Sequence, residues 1–147
     1  MKKIYVQEVQ FATPQYDEMV RLRDKILRKP LGLEFKPDDF ATEYLDTHLC
    51  CYDEQQGLVG CLVLSPKEDG QIKMRQVAVD DTCQSKGIGT FMVKASEVLS
   101  KDKGFTEMVL NARDVALDFY LKLDYEKVGK PFTEVTIKHY KMRKKIM

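Results

Sequence analysis

The chain has 147 residues, 44% of them hydrophobic and 32% charged, with a formal net charge of +1. That length predicts one domain, residues 1–147, able to bury a sizeable core. The balanced charge argues against nucleic acid as a partner, no apolar run is long enough to cross a membrane, and the first residues lack the apolar stretch of a secretory leader, so a cytoplasmic protein is expected.

The first strand is predicted at residues 3–9, where Ile4 and Val6 alternate with polar neighbours. Thr13-Pro14 supplies an N-cap and a helix-start proline, and Met19, Leu22 and Ile26 form the apolar stripe of a helix ending near Lys29-Pro30. Arg21, Arg23 and Arg28 read as its solvated face. Residues 30–46 are polar and irregular, with a short helix expected around 38–45, and are suited to the rim of a site. Two apolar runs, 47–52 and 58–64, flank a polar turn and predict a β-hairpin; a third strand, 72–79, extends it to an antiparallel meander. A helix follows over 86–103, stopped by Gly104. Then come a short strand at 108–110, a helix at 115–123, and two closing strands at 125–129 and 135–142. The basic stretch 138–145 reads as a solvated strand face or a protected edge. Cys50, Cys51, Cys61 and Cys83 show no CxxC spacing and read as reduced, mostly buried thiols. With His48 and His139 as the two histidines, no metal-ligand cluster is visible and no metal is expected.

The informative stretch is 75–90. Arg75-Gln76-Val77-Ala78-Val79 is strand-like, residues 80–85 form a polar turn, and Gly87 and Gly89 stand where the helix begins. Unpaired N–H groups, the helix dipole and Lys86 make that junction an anion site, and missing Cβ atoms let a phosphate reach the backbone. The spacing matches neither a Rossmann nor a P-loop fingerprint.

Gln84-x-x-Gly87-x-Gly89 after Val77-Ala78-Val79 resembles the acetyl-CoA signature of the GNAT N-acetyltransferase superfamily. Ala116-x-x-Phe119-Tyr120-x-Lys122-Leu123 resembles that family's tyrosine helix. Arg28-x-Pro30-Leu31-Gly32-Leu33, Asn111-Ala112-Arg113 and Phe132-x-Glu134…Ile137-x-His139-x-x-Met142 are similar to a subgroup of small bacterial members, so the likeness spans nearly the whole chain. It implies the acyl-CoA N-acyltransferase fold: a mixed α/β (α+β) architecture, with a mostly antiparallel central sheet of about seven strands flanked by helices.

The resemblance further implies acetyl-CoA as co-substrate. Val77, Ala78 and Val79 would hold the pantetheine arm, the Val77 or Val79 N–H would face the oxyanion, and Gln84, Ser85, Lys86, Gly87, Ile88, Gly89 and Thr90 would hold the pyrophosphate. Asn111 and Lys122 are further cofactor contacts. This chain departs from the family at Arg113, where Asn is usual, and at Asp124, where Gly is usual. Tyr120 is the implied proton donor to the leaving thiolate, since a phenol stays protonated at neutral pH. Glu134, His139 or a water chain would take the amine proton. Arg28, Arg75 and Gln76 are candidates for meeting the acceptor, and an arginine there suits a carboxylate or phosphate. The expected acceptor is the amine of a small metabolite; a protein or peptide amine and a non-catalytic acyl-CoA-binding module are the alternatives. A homodimer through the closing strands is expected from the same likeness.

Overall fold

The computed structural model describes residues 3–134 and 136–147; Val135, within the expected closing strand, lies outside them. Two compact units emerge. One comprises the chain up to Ser65 together with Gln76–Ser96, and the other comprises Pro66–Arg75 with Glu97–Met147.

In the first unit, β1 (Ile4–Val9) pairs antiparallel with β2 (Thr47–Asp53), placing Val9 opposite His48. β2 pairs antiparallel with β3 (Gly57–Pro66), with a register shift between Cys51 and Tyr52. β4 (Gln71–Val79) follows β3 in the strand order, and its residues from Gln76 onward belong to this unit. Between β1 and β2 runs helix α1 (Pro14–Arg23), which continues as one π-turn, Asp24–Arg28, and a 3₁₀ turn, Lys29–Leu31. The Thr13 hydroxyl accepts the Tyr16 N–H at 3.2 Å, as expected of the N-cap.

Of the expected apolar stripe, Met19 and Leu22 are buried and, with Tyr16, join Val9, Cys50, Cys61, Val63 and Ala78 in one core, while Ile26, in the π-turn, packs half-buried against it. Val9, Met19, Leu22 and Val63 each contribute about 1.5–3 kcal/mol on burial. Helix α2 (Ile88–Asp102) begins in this unit and sets Met92 against Gly60. A Cβ on Gly60 would stand 2.8 Å from the Met92 sulfur and 3.3 Å from the Ala78 carbonyl, so a larger residue there would have to displace the Met92 side chain and crowd β4. All four cysteines are free and buried.

One expectation about α1 fails. Arg23 does not face solvent: its side chain has 0% exposure, and both terminal nitrogens donate to Glu43 at 2.8 Å. The Tyr16 hydroxyl donates to the same carboxylate, and His48 Nε2 donates to the Glu43 carbonyl at 2.7 Å. The Arg23 guanidinium also lies 5.2 Å from the Phe35 ring centre and 5.9 Å from that of Phe40. Burial works against its charge, and Glu43 more than offsets this, so its pKa lies above the ordinary arginine value. The helix expected at 38–45 is instead two 3₁₀ turns, Pro37–Phe40 and Glu43–Leu45. The second turn carries Glu43 inward.

In the second unit the start of β4 pairs parallel with β5 (Glu107–Arg113), and that ladder covers Gln71–Lys73 against Glu107–Val109. β8 (Ile137–Lys145) pairs antiparallel with β5 along its length, and on its other side with β6 (Glu126–Lys127) and β7 (Phe132–Glu134). The basic strand is therefore interior to the sheet, not an edge. The closing segment yields three strands where two were expected, because the chain turns back at Thr136, which takes φ 62°. The helix expected at 115–123 divides into a 3₁₀ turn, Asp114–Ala116, and a short α3 (Leu117–Lys122). Among the described residues the strand order is β1-β2-β3-β4-β5-β8-β6, with β7 beside β8, making eight strands that are mostly antiparallel.

Glu43→Leu leaves the Arg23 charge buried without its partner and should cost about 3–5 kcal/mol in urea unfolding. Adding Arg23→Met to that variant should restore most of the loss. A double variant no more stable than the single one would show that the pair is not the source of the cost.

Candidate active site

β4 ends at Val79, and the chain reverses through a 3₁₀ turn, Asp81–Cys83, before α2 begins. The Asp80 carboxylate accepts the Thr82 N–H at 3.1 Å and its hydroxyl at 2.9 Å. The Thr82 backbone donor, with Lys25 alongside, holds the Asp80 carboxyl below the usual range. Gln84 does not project freely: its amide donates to the Val79 carbonyl at 3.2 Å and ties the turn to the strand end. Ser85 (φ 65°) and Gly87 (φ 82°) both take left-handed backbone, which bends the chain into the helix axis.

The Phe91 N–H reaches back to the Gly87 carbonyl at 3.0 Å and opens the helical ladder. The N–H groups of Ile88, Gly89 and Thr90, at the start of α2, have no intrahelical acceptor, and the dipole adds positive potential. A Cβ built on Gly87 would meet nothing within 4 Å, so open space lies directly over this backbone. Residues 84–87 are exposed, while Ile88 is buried and anchors the turn. The turn therefore fits a phosphate or pyrophosphate.

Of the remaining candidates in this unit, Ala78 is buried and Val77 and Val79 are half-buried. Gln76 adopts φ 54° within β4, and its side-chain oxygen is buried without a hydrogen-bond partner. A non-glycine residue in that region carries strain of order 1–3 kcal/mol. The Arg28 guanidinium lies over the Phe35 ring at 4.5 Å, so it packs on the irregular segment itself.

The second unit holds the other candidates. Tyr120 is buried on α3, between Phe119 and Tyr125 at ring separations of 5.0 and 5.7 Å. Burial pushes its phenol up to about 12. Asp124 adopts φ 72°, the left-handed geometry that a glycine would otherwise supply, and the Tyr125 N–H then closes the helix end on the Tyr120 carbonyl at 3.1 Å. The Tyr125 hydroxyl donates to Glu97 at 2.8 Å and Lys144 bonds the same carboxylate at 3.0 Å, which fixes the ring beside Tyr120. Lys122 is exposed.

His139 lies opposite Phe132 across the β7–β8 pair, their rings stacked at 5.6 Å. Its Nδ1 is 2.9 Å from the Ile137 carbonyl. A carbonyl can only accept, so Nδ1 carries the hydrogen and the Nε2 lone pair of the neutral ring is left to take a proton. Glu134 is exposed on β7. Asn111 sits within β5 and opposite Lys141, while Arg75 is half-buried on β4. The structure thus gathers Tyr120, Glu134, His139, Asn111, Lys122 and Arg75 in one unit, and Arg28, Gln76–Val79 and the glycine turn in the other.

Reading the sequence missed Lys73 and Lys67, which share a cavity wall with Asn111 and Lys141. The one local signal was the run Gln71, Lys73, Arg75 at strand spacing. Among the described residues no group of His, Cys, Asp or Glu is placed to hold a metal ion, and no helix is long and apolar enough to cross a membrane.

The sequence profile of the acetyltransferase (GNAT) domain family matches residues 31–146. The chain is 28% identical over 131 residues to an uncharacterized N-acetyltransferase, YjcF, of Bacillus subtilis (strain 168), covering 88% of this chain and 92% of that protein. Its fold matches an acyl-CoA N-acyltransferase from Pseudomonas aeruginosa with a TM-score of 0.80 at 17% identity, covering 97% and 99% of the two chains. It also matches a Bacillus subtilis acetyltransferase in complex with CoA, with a TM-score of 0.72 at 14% identity over 99% and 100%. The chain belongs to the acetyltransferase (GNAT) domain family and is an acyltransferase.

Nitrogen-15 NMR of the neutral His139 ring should show the hydrogen on Nδ1. A ring protonated on Nε2 instead would disqualify it from accepting an amine proton in this rotamer.

Proposed function

We propose that this GNAT-family acyltransferase moves the acetyl group of acetyl-CoA to the amine of a small metabolite. The observation that carries the donor side is the turn at residues 84–90. Two left-handed residues, an open face over Gly87 and three N–H groups without intrahelical acceptors form a cradle for a pyrophosphate. Acetyl-CoA supplies the acyl group already activated as a thioester. The Val77–Val79 backbone is assigned to its pantetheine arm, and Lys122 to its phosphate end.

This chain's residues supply the proton handling. The amine must lose a proton to attack, and His139 Nε2 accepts it. The departing sulfur needs a proton, and Tyr120 holds one: burial keeps the phenol protonated across the physiological range. The Asp124 turn and the Glu97–Tyr125 contact hold the Tyr120 ring, so its orientation precedes substrate binding. A small acceptor is favoured because side chains of residues 28–46 pack on one another and on α1. Arg28 and Phe40 both pack on Phe35, and Glu43 is pinned from beneath by Arg23.

CoA should raise the melting temperature in a concentration-dependent way, and no stabilisation at millimolar CoA would remove the donor assignment. Tyr120→Phe should lower kcat by about 10²-fold or more while keeping the CoA-induced stabilisation. Unchanged turnover would take Tyr120 out of the reaction.

A further inference from the structure

A cavity of about 760 Å³ opens within the second unit, over the start of β4 and the middle of β5. That size suits a small organic molecule. Three ammonium groups line it: Lys73 from β4, Lys141 from β8 and Lys67 from the turn before β4. Among the described residues none of the three forms an ion pair, whereas Lys25, Lys29, Lys144 and Arg143 all do.

The opposing charge is small. Glu68 stands at the rim, and Glu134 acts on Lys73 from β7. Glu107, beside the cavity, already accepts the Gln71 amide at 2.6 Å. Burial lowers the Lys73 pKa first, and Lys67, Arg75 and Lys141 lower it further, so the cations are crowded beyond what the local carboxylates relieve. Such crowding is unfavourable unless an anion joins it. The rest of the wall is not ionic. Val109, Leu110 and Phe132 give it an apolar side, and the Asn111 amide adds a donor and an acceptor. Phe132 is the ring stacked on His139.

We propose that this cavity binds an organic anion, with a carboxylate or phosphate held by Lys67, Lys73 and Lys141 and an apolar body resting on Val109, Leu110 and Phe132. The site stands on the cavity and its charges, and does not require the transfer reaction. Its anion has two possible sources. It is the acidic group of the acceptor amine itself, or it is a separate small anion.

Titration calorimetry without any CoA tests the site, with 3-phenylpropionate, its neutral amide and inorganic phosphate as probes. The carboxylate should bind at least tenfold more tightly than the amide, and phosphate more weakly than the carboxylate. Lys73→Met and Lys141→Met should each weaken carboxylate binding about tenfold, the loss expected of one charged hydrogen bond. Lys101→Met, an exposed lysine outside the cavity, should leave it unchanged. Lys141 is exposed, so its variant keeps the test valid if Lys73→Met fails to fold. Equal binding of the amide, no binding of any probe, or insensitivity to Lys141→Met would overturn the proposal. Steady-state transfer to phenylalanine and to 2-phenylethylamine then separates the two sources. If the acceptor's own carboxylate is held, Lys141→Met raises KM for the former alone. If a separate anion is held, both KM values stay unchanged while carboxylate binding is lost.

Discussion

A guanidinium and a carboxylate, neither with exposed surface, hold the least regular part of the first unit in place. Residues 29–46 contain short 3₁₀ turns and no longer element, so they cannot build a ladder or a helical stripe of their own. What they have is Glu43, drawn inward to Arg23, and the aromatic rings of Phe35 and Phe40 packed around the same guanidinium. Two charges leaving water together demand near-complete hydrogen bonding, and the Tyr16 hydroxyl helps satisfy the carboxylate. That demand leaves the segment little freedom of conformation. The shape of the segment follows from it.

Much of this architecture was legible in local pattern. Thr13-Pro14 caps α1, period-two alternation marks β1, apolar runs around a polar turn mark β2 and β3, and the glycine turn separates β4 from α2, because each signal lies within a few residues of the structure it dictates. Arg23 was misread for the opposite reason. Its partner stands 20 residues away, and helical periodicity carries no information about it. The basic stretch 138–145 shows the same limit: it does carry a solvated face, but whether the strand is an edge or an interior one depends on β5, β6 and β7, none of which is coded in the strand itself. Asp124 went the other way. Losing the usual glycine left the helix end open to question, yet the aspartate adopts the required left-handed backbone.

The candidate site divides along the same line. The phosphate cradle is a local motif, built from one turn and one helix start, and it could be found from residues 84–90 alone. The candidate proton-handling groups and the lysine cavity draw on β4, β5, α3, β7 and β8 together. Lys67 and Lys141 are separated by half the chain and meet only once the parallel ladder and the β8 return are formed. Such a constellation is invisible to spacing, and so the acceptor side remained the weaker part of the sequence reading.

Three of the four buried cysteines, Cys50, Cys51 and Cys61, gain a meaning from the proposed reaction. Transfer from a thioester releases a free thiol at every turnover, and thiols exchange with any disulfide or oxidised sulfur within reach. Burial pushes the Cys50 thiol up to about 12, Cys51 to about 11 and Cys61 higher still. At neutral pH only about one Cys50 in 10⁵ is then a thiolate, the form that reacts. Cys50, Cys51 and Cys61 are therefore shielded from the thiol exchange that such a reaction would bring. Their value to the fold is as small apolar groups, and the same desolvation that secures the packing also makes them chemically silent.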